Sequence, residues 1–245
     1  MNITFGVHLT RWFTYLAICL FLTGCKTYHP LPEAMAAMAG SESVAVSETK
    51  TGIHFDPQTP SNLGFIFYPG ANVKPAAYAP LMLQLAENGY TCIIAKFPLN
   101  LAILAANRAD SLRASYGSSI DTWVISGHSL GGTMAARYIR NHEQDEELKG
   151  LALLAAYPAN SDDLSPFTMS VLSLYASEDG LSTPQKILNS QAILPPTTQF
   201  FEILGGNHAQ FGWYGEQAGD NSASIDQETQ QQIILEQLLT FLAAH

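Results

Sequence analysis

The chain has 245 residues, 47% of them hydrophobic and 13% charged, which is enough apolar material for one substantial core. Eleven Lys and Arg stand against 21 Asp and Glu, a net charge of -10. With that balance and no basic run, nucleic acid is excluded as a ligand, because its phosphates would be repelled over most of the surface.

The amino terminus reads as an address. Met1 to Arg11 carries one side-chain cation and no acid, and Trp12 to Leu22 (WFTYLAICLFL) is an apolar run of 11 residues. That is too short for the roughly 20 residues of a membrane-spanning helix, and it suits the core of a secretory leader. Leu22-Thr23-Gly24-Cys25 follows, and it resembles the bacterial lipobox. The resemblance implies cleavage before Cys25, acylation of that cysteine and a protein held at the cell-envelope membrane, facing outside the cytoplasm. An ordinary leader with an incidental cysteine is the alternative. Two or more acyl chains anchor stably where one binds marginally. Of the three cysteines, Cys19 leaves with the leader, Cys25 is acylated and Cys92 stays in a strand-like run, so no disulfide and no metal site is expected. Loss of Arg11 takes the net charge from -10 to -11. We expect residues 1–24 as a signal peptide, 25–31 as a tether and 32–245 as a single domain.

In chain order, KTYHPLP is polar and proline-broken, as a tether would be, and Pro32 to Gly40 can form a short helix, with proline first and glycine last. Val44 to Glu48 and Ile53 to Phe55 suggest an opening hairpin, and Leu63 to Tyr68 a buried strand ending at Pro69-Gly70. Pro75 to Asn88 predicts an amphipathic helix, Thr91 to Phe97 a strand, and Ala102 to Ala114 a helix. Strand Thr122 to Ser126, helix Leu130 to Arg140, strands Leu151 to Ala156 and Ser170 to Ala176, and a helix near Thr183 to Gln191 come next. Strand Gln199 to Leu204 and a helix over Ser224 to Ala244 finish the chain. Strands apolar on both faces and separated by helices predict an α/β, doubly wound, mostly parallel sheet covered on both sides. Its functional loops belong at the carboxyl ends of the strands.

One of those ends reads VISGHSLGG. A G-x-S-x-G pattern is weak alone, since glycine and serine are common. Here it lies between strand and helix, where small neighbours permit a sharp turn that lifts a serine hydroxyl above the sheet. The helix amino terminus adds free N–H groups and a partial positive charge. Ser129 is thus a candidate nucleophile, and it needs a base oriented by an acid. Among seven histidines only His208, in GGNHAQFG, follows a late strand; a plain surface histidine is the competing reading. For an order of serine, acid, histidine, Asp179 in YASEDG follows its strand directly, with Asp162 and Asp163 as rivals one strand earlier. Two backbone donors would bind the oxyanion: the Leu130 N–H, and the Ala71 N–H in the FYPGANVKP loop, which could also be only a turn. Phe211, Trp213 and Tyr214 could wall the site or simply pack. Lys96 could face a ligand, though a snorkelling surface lysine is the plainer reading.

Taken together, GHSLGG, YPGANV, YASEDG and GGNHAQFG resemble the α/β-hydrolase superfamily, near its small, lidless, dienelactone-hydrolase-like serine hydrolases. KFPLNLAILAANRAD looks like a feature of the same subgroup. The resemblance covers about residues 32–243. It implies an α/β-hydrolase fold without cofactor and hydrolysis of a small-molecule carboxylic ester through an acyl-enzyme. In that reaction Ser129 attacks, His208 moves the proton and Asp179 orients it. The oxyanion loop departs from the H-G-G-G of many esterases. Only YPANSDDLSPFT lies between two strands where a cap would be inserted, so no sizeable cap domain and an open site for small or extended acyl groups are expected. A peptidase or thioesterase would share these residues. A noncatalytic envelope lipoprotein that uses the fold for binding is the alternative from another class. A dehalogenase is disfavoured, because it would carry aspartate at the elbow.

Overall fold

The computed structural model describes residues 26–245; the expected signal peptide and Cys25 lie outside them. Eight strands form one sheet: β1 (Val44–Glu48), β2 (Gly52–Pro57), β3 (Leu63–Tyr68), β4 (Thr91–Ala95), β5 (Thr122–His128), β6 (Leu148–Leu154), β7 (Ser170–Ala176) and β8 (Gln199–Ile203). Their order is β1-β2-β4-β3-β5-β6-β7-β8. The β1–β2 and β2–β4 pairs are antiparallel and the rest parallel. The helices are α1 (Pro32–Ala37), α2 (Ala79–Glu87), α3 (Arg108–Ala114), α4 (Leu130–Asn141), α5 (Pro184–Asn189) and α6 (Gln227–Leu242). No described helix is long and apolar enough to cross a membrane.

The period of two in a strand splits the core into two layers. Phe65, Phe67, Ile94, Val124 and Leu174 pack with α2 and α6 on one face. Ile66, Tyr68, Ile93, Ile125 and Leu153 pack with α3 and α4 on the other. β3 and β4 are therefore buried throughout, while the edge strands β1 and β8 alternate with solvent. From β3 the chain steps outward to β4, then returns across β3 to β5. The loops after β3 and β5 leave from this reversal of strand order, the place where doubly wound sheets bind their ligands.

Three predicted helices begin or continue differently, each for an identifiable reason. The Pro75 helix is a 3₁₀ turn, Pro75–Tyr78, followed by α2, because Pro80 in the first turn of α2 has no N–H to extend an earlier helix. The Ala102 helix is a 3₁₀ turn, Ala102–Ala105, and then α3. The Tyr68 hydroxyl sits at that break, donating to Ala106 O at 2.7 Å and accepting from Ala109 N at 2.9 Å. The last helix starts at Gln227, where the Asp226 carboxylate caps it through Thr229 N at 2.7 Å.

The expected tether is not free throughout. Tyr28 N–H donates to Asn72 O and Lys74 N–H to Tyr28 O, both at 2.9 Å, and Leu31 N–H donates to Trp213 O at 2.8 Å. The Tyr28 ring is buried in the core. Proline-rich polarity suggested a linker, but an aromatic residue with both backbone groups paired docks instead.

Candidate active site

β5 runs directly into α4, and Ser129 is the joint, with φ 53° and ψ -126°. A non-glycine residue there is strained. The surroundings hold it: Ser129 N–H donates to Leu154 O at 3.0 Å, and Thr133 N–H donates to Ser129 O at 3.1 Å. The helix crosses so close beneath that a Cβ on Gly131 would strike Tyr68 O, and one on Gly127 would lie 2.6 Å from Gly131 C. Ser129 itself is partly exposed. The N–H groups of Leu130, Gly131 and Gly132 lie in the first turn, where no intrahelical acceptor exists.

Asp179 follows β7 and His208 follows β8, on neighbouring strands. His208 Nδ1 bonds Asp179 Oδ2 at 2.7 Å, with both side chains fully buried. Asp179 Oδ1 accepts from Leu181 N at 2.8 Å and Ser182 N at 2.6 Å. A carboxylate occupied in this way can only accept, so Nδ1 carries a proton toward it and Nε2 is the ring nitrogen turned away from the acid. That Nε2 is buried without a hydrogen-bond partner among the described residues. No hydrogen bond joins it to Ser129; such contacts often tighten only with substrate.

The loop after β3 lies over the elbow. Gly70 N–H donates to the Tyr78 hydroxyl at 3.1 Å, and that hydroxyl meets His128 Nδ1 at 2.9 Å. The phenol oxygen accepts from Gly70 and shares its second hydrogen bond with His128 Nδ1. A Cβ on Gly70 would come within 2.8 Å of that nitrogen. The His128 ring lies 4.4 Å from His208 and stacks on Phe211 at 5.6 Å. Burial, reinforced by His208, holds the His128 pKa well below the ordinary histidine value. His128 is therefore neutral. Asn72, at φ 60°, donates its N–H to Asn100 O at 3.0 Å. Ala71 N–H, between them, has no acceptor among the described residues.

Residues 64–232, more than half of the chain, match the family model described as "Alpha/beta hydrolase family". This chain belongs to the α/β hydrolase family. No curated protein matches it in sequence. Among solved structures it is similar to the carboxylesterase CesB of Bacillus subtilis, with TM-score 0.61 and 10% identity over 87% of this chain and 95% of that one. A thermophilic esterase of Thermogutta terrifontis gives TM-score 0.61 and 14% identity over 84% and 95%. A dienelactone-hydrolase-like protein of Klebsiella pneumoniae gives 0.58 and 17% over 82% and 99%. At such identities the likeness speaks to the fold.

Within this α/β hydrolase the rival acids are otherwise engaged: Asp162 pairs with Arg137 at 3.0 Å, and Asp163 caps Ser165 N–H. Lys96 is paired with Glu48 at 2.8 Å. Phe211 and Tyr214 are buried against His128, so they form the packing behind the site more than its open wall. Among the described residues no group of three His, Cys, Asp or Glu is disposed to hold a metal ion.

Sequence reasoning missed three braces. Asp220 ties the acid loop to the histidine loop, accepting from Gly180 N at 3.0 Å and Ala209 N at 2.8 Å. Gln230 of α6 is fully buried and holds Asn207 through both its N–H and its C=O. Tyr78 is the third. A glutamine on the apolar side of a helix was the one visible signal.

Proposed function

We propose that this α/β hydrolase is a serine esterase held at the cell-envelope membrane through acylated Cys25. The observation that carries the reading is the buried Asp179–His208 pair at 2.7 Å beside a serine on a strained elbow. A scaffold has no use for a desolvated carboxylate locking a histidine tautomer. In this reading Ser129 Oγ attacks the acyl carbon and passes its proton to His208 Nε2. The oxyanion is met by the N–H groups of Leu130 and Ala71. Collapse expels the alcohol with that proton, and water repeats the sequence on the acyl-enzyme. The neutral His128 leaves the imidazolium formed on His208 without a second cation beside it. The esterases among the structural neighbours favour an ester over a peptide bond.

The test is fluorophosphonate labelling of the full chain with hydrolysis of short nitrophenyl esters. Labelling is expected to vanish in Ser129→Ala and fall sharply in His208→Ala, and Asp179→Asn should lower kcat by about 10⁴. A folded wild type that neither labels nor turns over would return the fold to a binding role. Mass spectrometry of the mature amino terminus should find acyl chains on Cys25; an unmodified end elsewhere defeats the anchor.

A further inference from the structure

We propose that the rim beside the β3 loop is a bilayer-docking surface, so that the site takes its ester from lipids in the membrane that holds the protein; this rests on the anchored-esterase reading above.

The large hydrophobic side chains that remain exposed are concentrated there. Among the described residues six stand out, and four belong to this rim: Leu99 at 77%, Ile103 at 54%, Leu104 at 53% and Met35 at 53%. Such a concentration marks an interaction surface, where scattered leucines would not. The backbone presents them deliberately: Leu99 and Asn100 are both left-handed, at φ 54° and 55°. For a leucine that conformation is strained, and here it turns the side chain into solvent.

The rim is tied both to the site and to the membrane end of the chain. Asn100 O accepts from Asn72 N–H, next to Ala71, and Asn72 O accepts from Tyr28 N–H. Residues 28, 72 and 100 thus form one continuous hydrogen-bonded edge. Cys25 is three residues before Tyr28, so its backbone can lie at most about 10 Å from that edge. An anchor so short cannot hold the bilayer at a distant face. Between Met35 and Asn100 lies a cleft of about 430 Å³, also lined by Lys74 and by the Lys96–Glu48 ion pair. Lys74 has no ion-pair partner among the described residues. On a chain of net charge -10, an unpaired lysine beside exposed apolar side chains favours contact with anionic headgroups at this rim.

The experiment uses the full chain in mixed phosphatidylcholine and phosphatidylglycerol vesicles, with an environment-sensitive dye on Ile103→Cys. Lys149→Cys, at the opposite ends of the strands, is the control; Cys92 is buried and does not compete. A blue shift and quenching by lipid-borne quencher at position 103, and neither at 149, are expected. In the same vesicles, L99S/I103S/L104S should lose about tenfold in turnover of an embedded ester lipid while a soluble short-chain ester is turned over as before. No shift at 103 while Cys25 is acylated overturns the docking surface and leaves the esterase reading standing. A shift that needs no vesicles but grows with protein concentration assigns the rim to a second copy and also overturns it. If the Ser129→Ala protein shows the shift and wild type hydrolyses nothing, the esterase reading fails and the docking surface survives.

Discussion

The Tyr78 hydroxyl accepts from Gly70 N–H and hydrogen-bonds His128 Nδ1, so one oxygen holds the β3 loop over the elbow. Tyr78→Phe leaves two buried polar groups unpaired, each costing about 1–3 kcal/mol. At about 2–4 °C per kcal/mol for a chain of this size, Tm should fall by at least several degrees. If the Ala71 amide serves the oxyanion, kcat should fall by about tenfold or more with KM little changed, since only the transition state uses that donor. Calorimetry and ester kinetics on one sample separate the two effects. A lowered Tm with unaltered kcat would confine Tyr78 to folding.

At the scale of elements, the site is assembled by loops from two adjacent strand pairs, β3/β5 and β7/β8, with β6 between them, and α6 takes part from outside the sheet. Its buried Gln230 and Gln231 reach Asn207 and Gln210 in the histidine loop. This helix gives up part of an apolar stripe to hold the base in place. Its start depends on Asp226, and Asp226→Ala should cost about 1 kcal/mol, or roughly 2–4 °C in Tm. Because the Asp226 carboxylate bonds only Thr229 and no residue of the site, ester turnover at 25 °C should be unaffected. A coupled loss of activity would mean that α6 frays as far as Gln230. β7 was legible to its exact bounds, because a strand apolar on both faces has one reading. The broken helix over 102–114 was not: its break is set by Tyr68, a residue more than thirty positions away.

Across the whole molecule, stability should follow pH through buried histidine. His128 is neutral when folded, whereas its unfolded pKa lies at the ordinary 6.5. Below that value the unfolded chain binds the extra proton, so stability is fully present above about pH 6.5 and is lost as pH falls. His54 and His245 are shifted down by burial and act in the same direction. Asp145, held low by Arg113, acts the same way only near and below 3.8. Denaturant melts between pH 7.5 and 5 should therefore show a slope, and His128→Asn should flatten it by up to about 1.4 kcal/mol per pH unit. An identical slope in the variant would mean that His128 is protonated in the native state. By itself the sequence determined the architecture and the positions of Ser129, Asp179 and His208, because strand periodicity, glycine at a sharp turn and a residue directly after a strand are local signals. Only the tertiary structure decided that Asp162 is spent on Arg137, that Tyr28 docks, and that Tyr78, Asp220 and Gln230 brace the site. Those outcomes depend on which distant groups meet once two layers close on the sheet, and no local pattern encodes a contact across fifty residues.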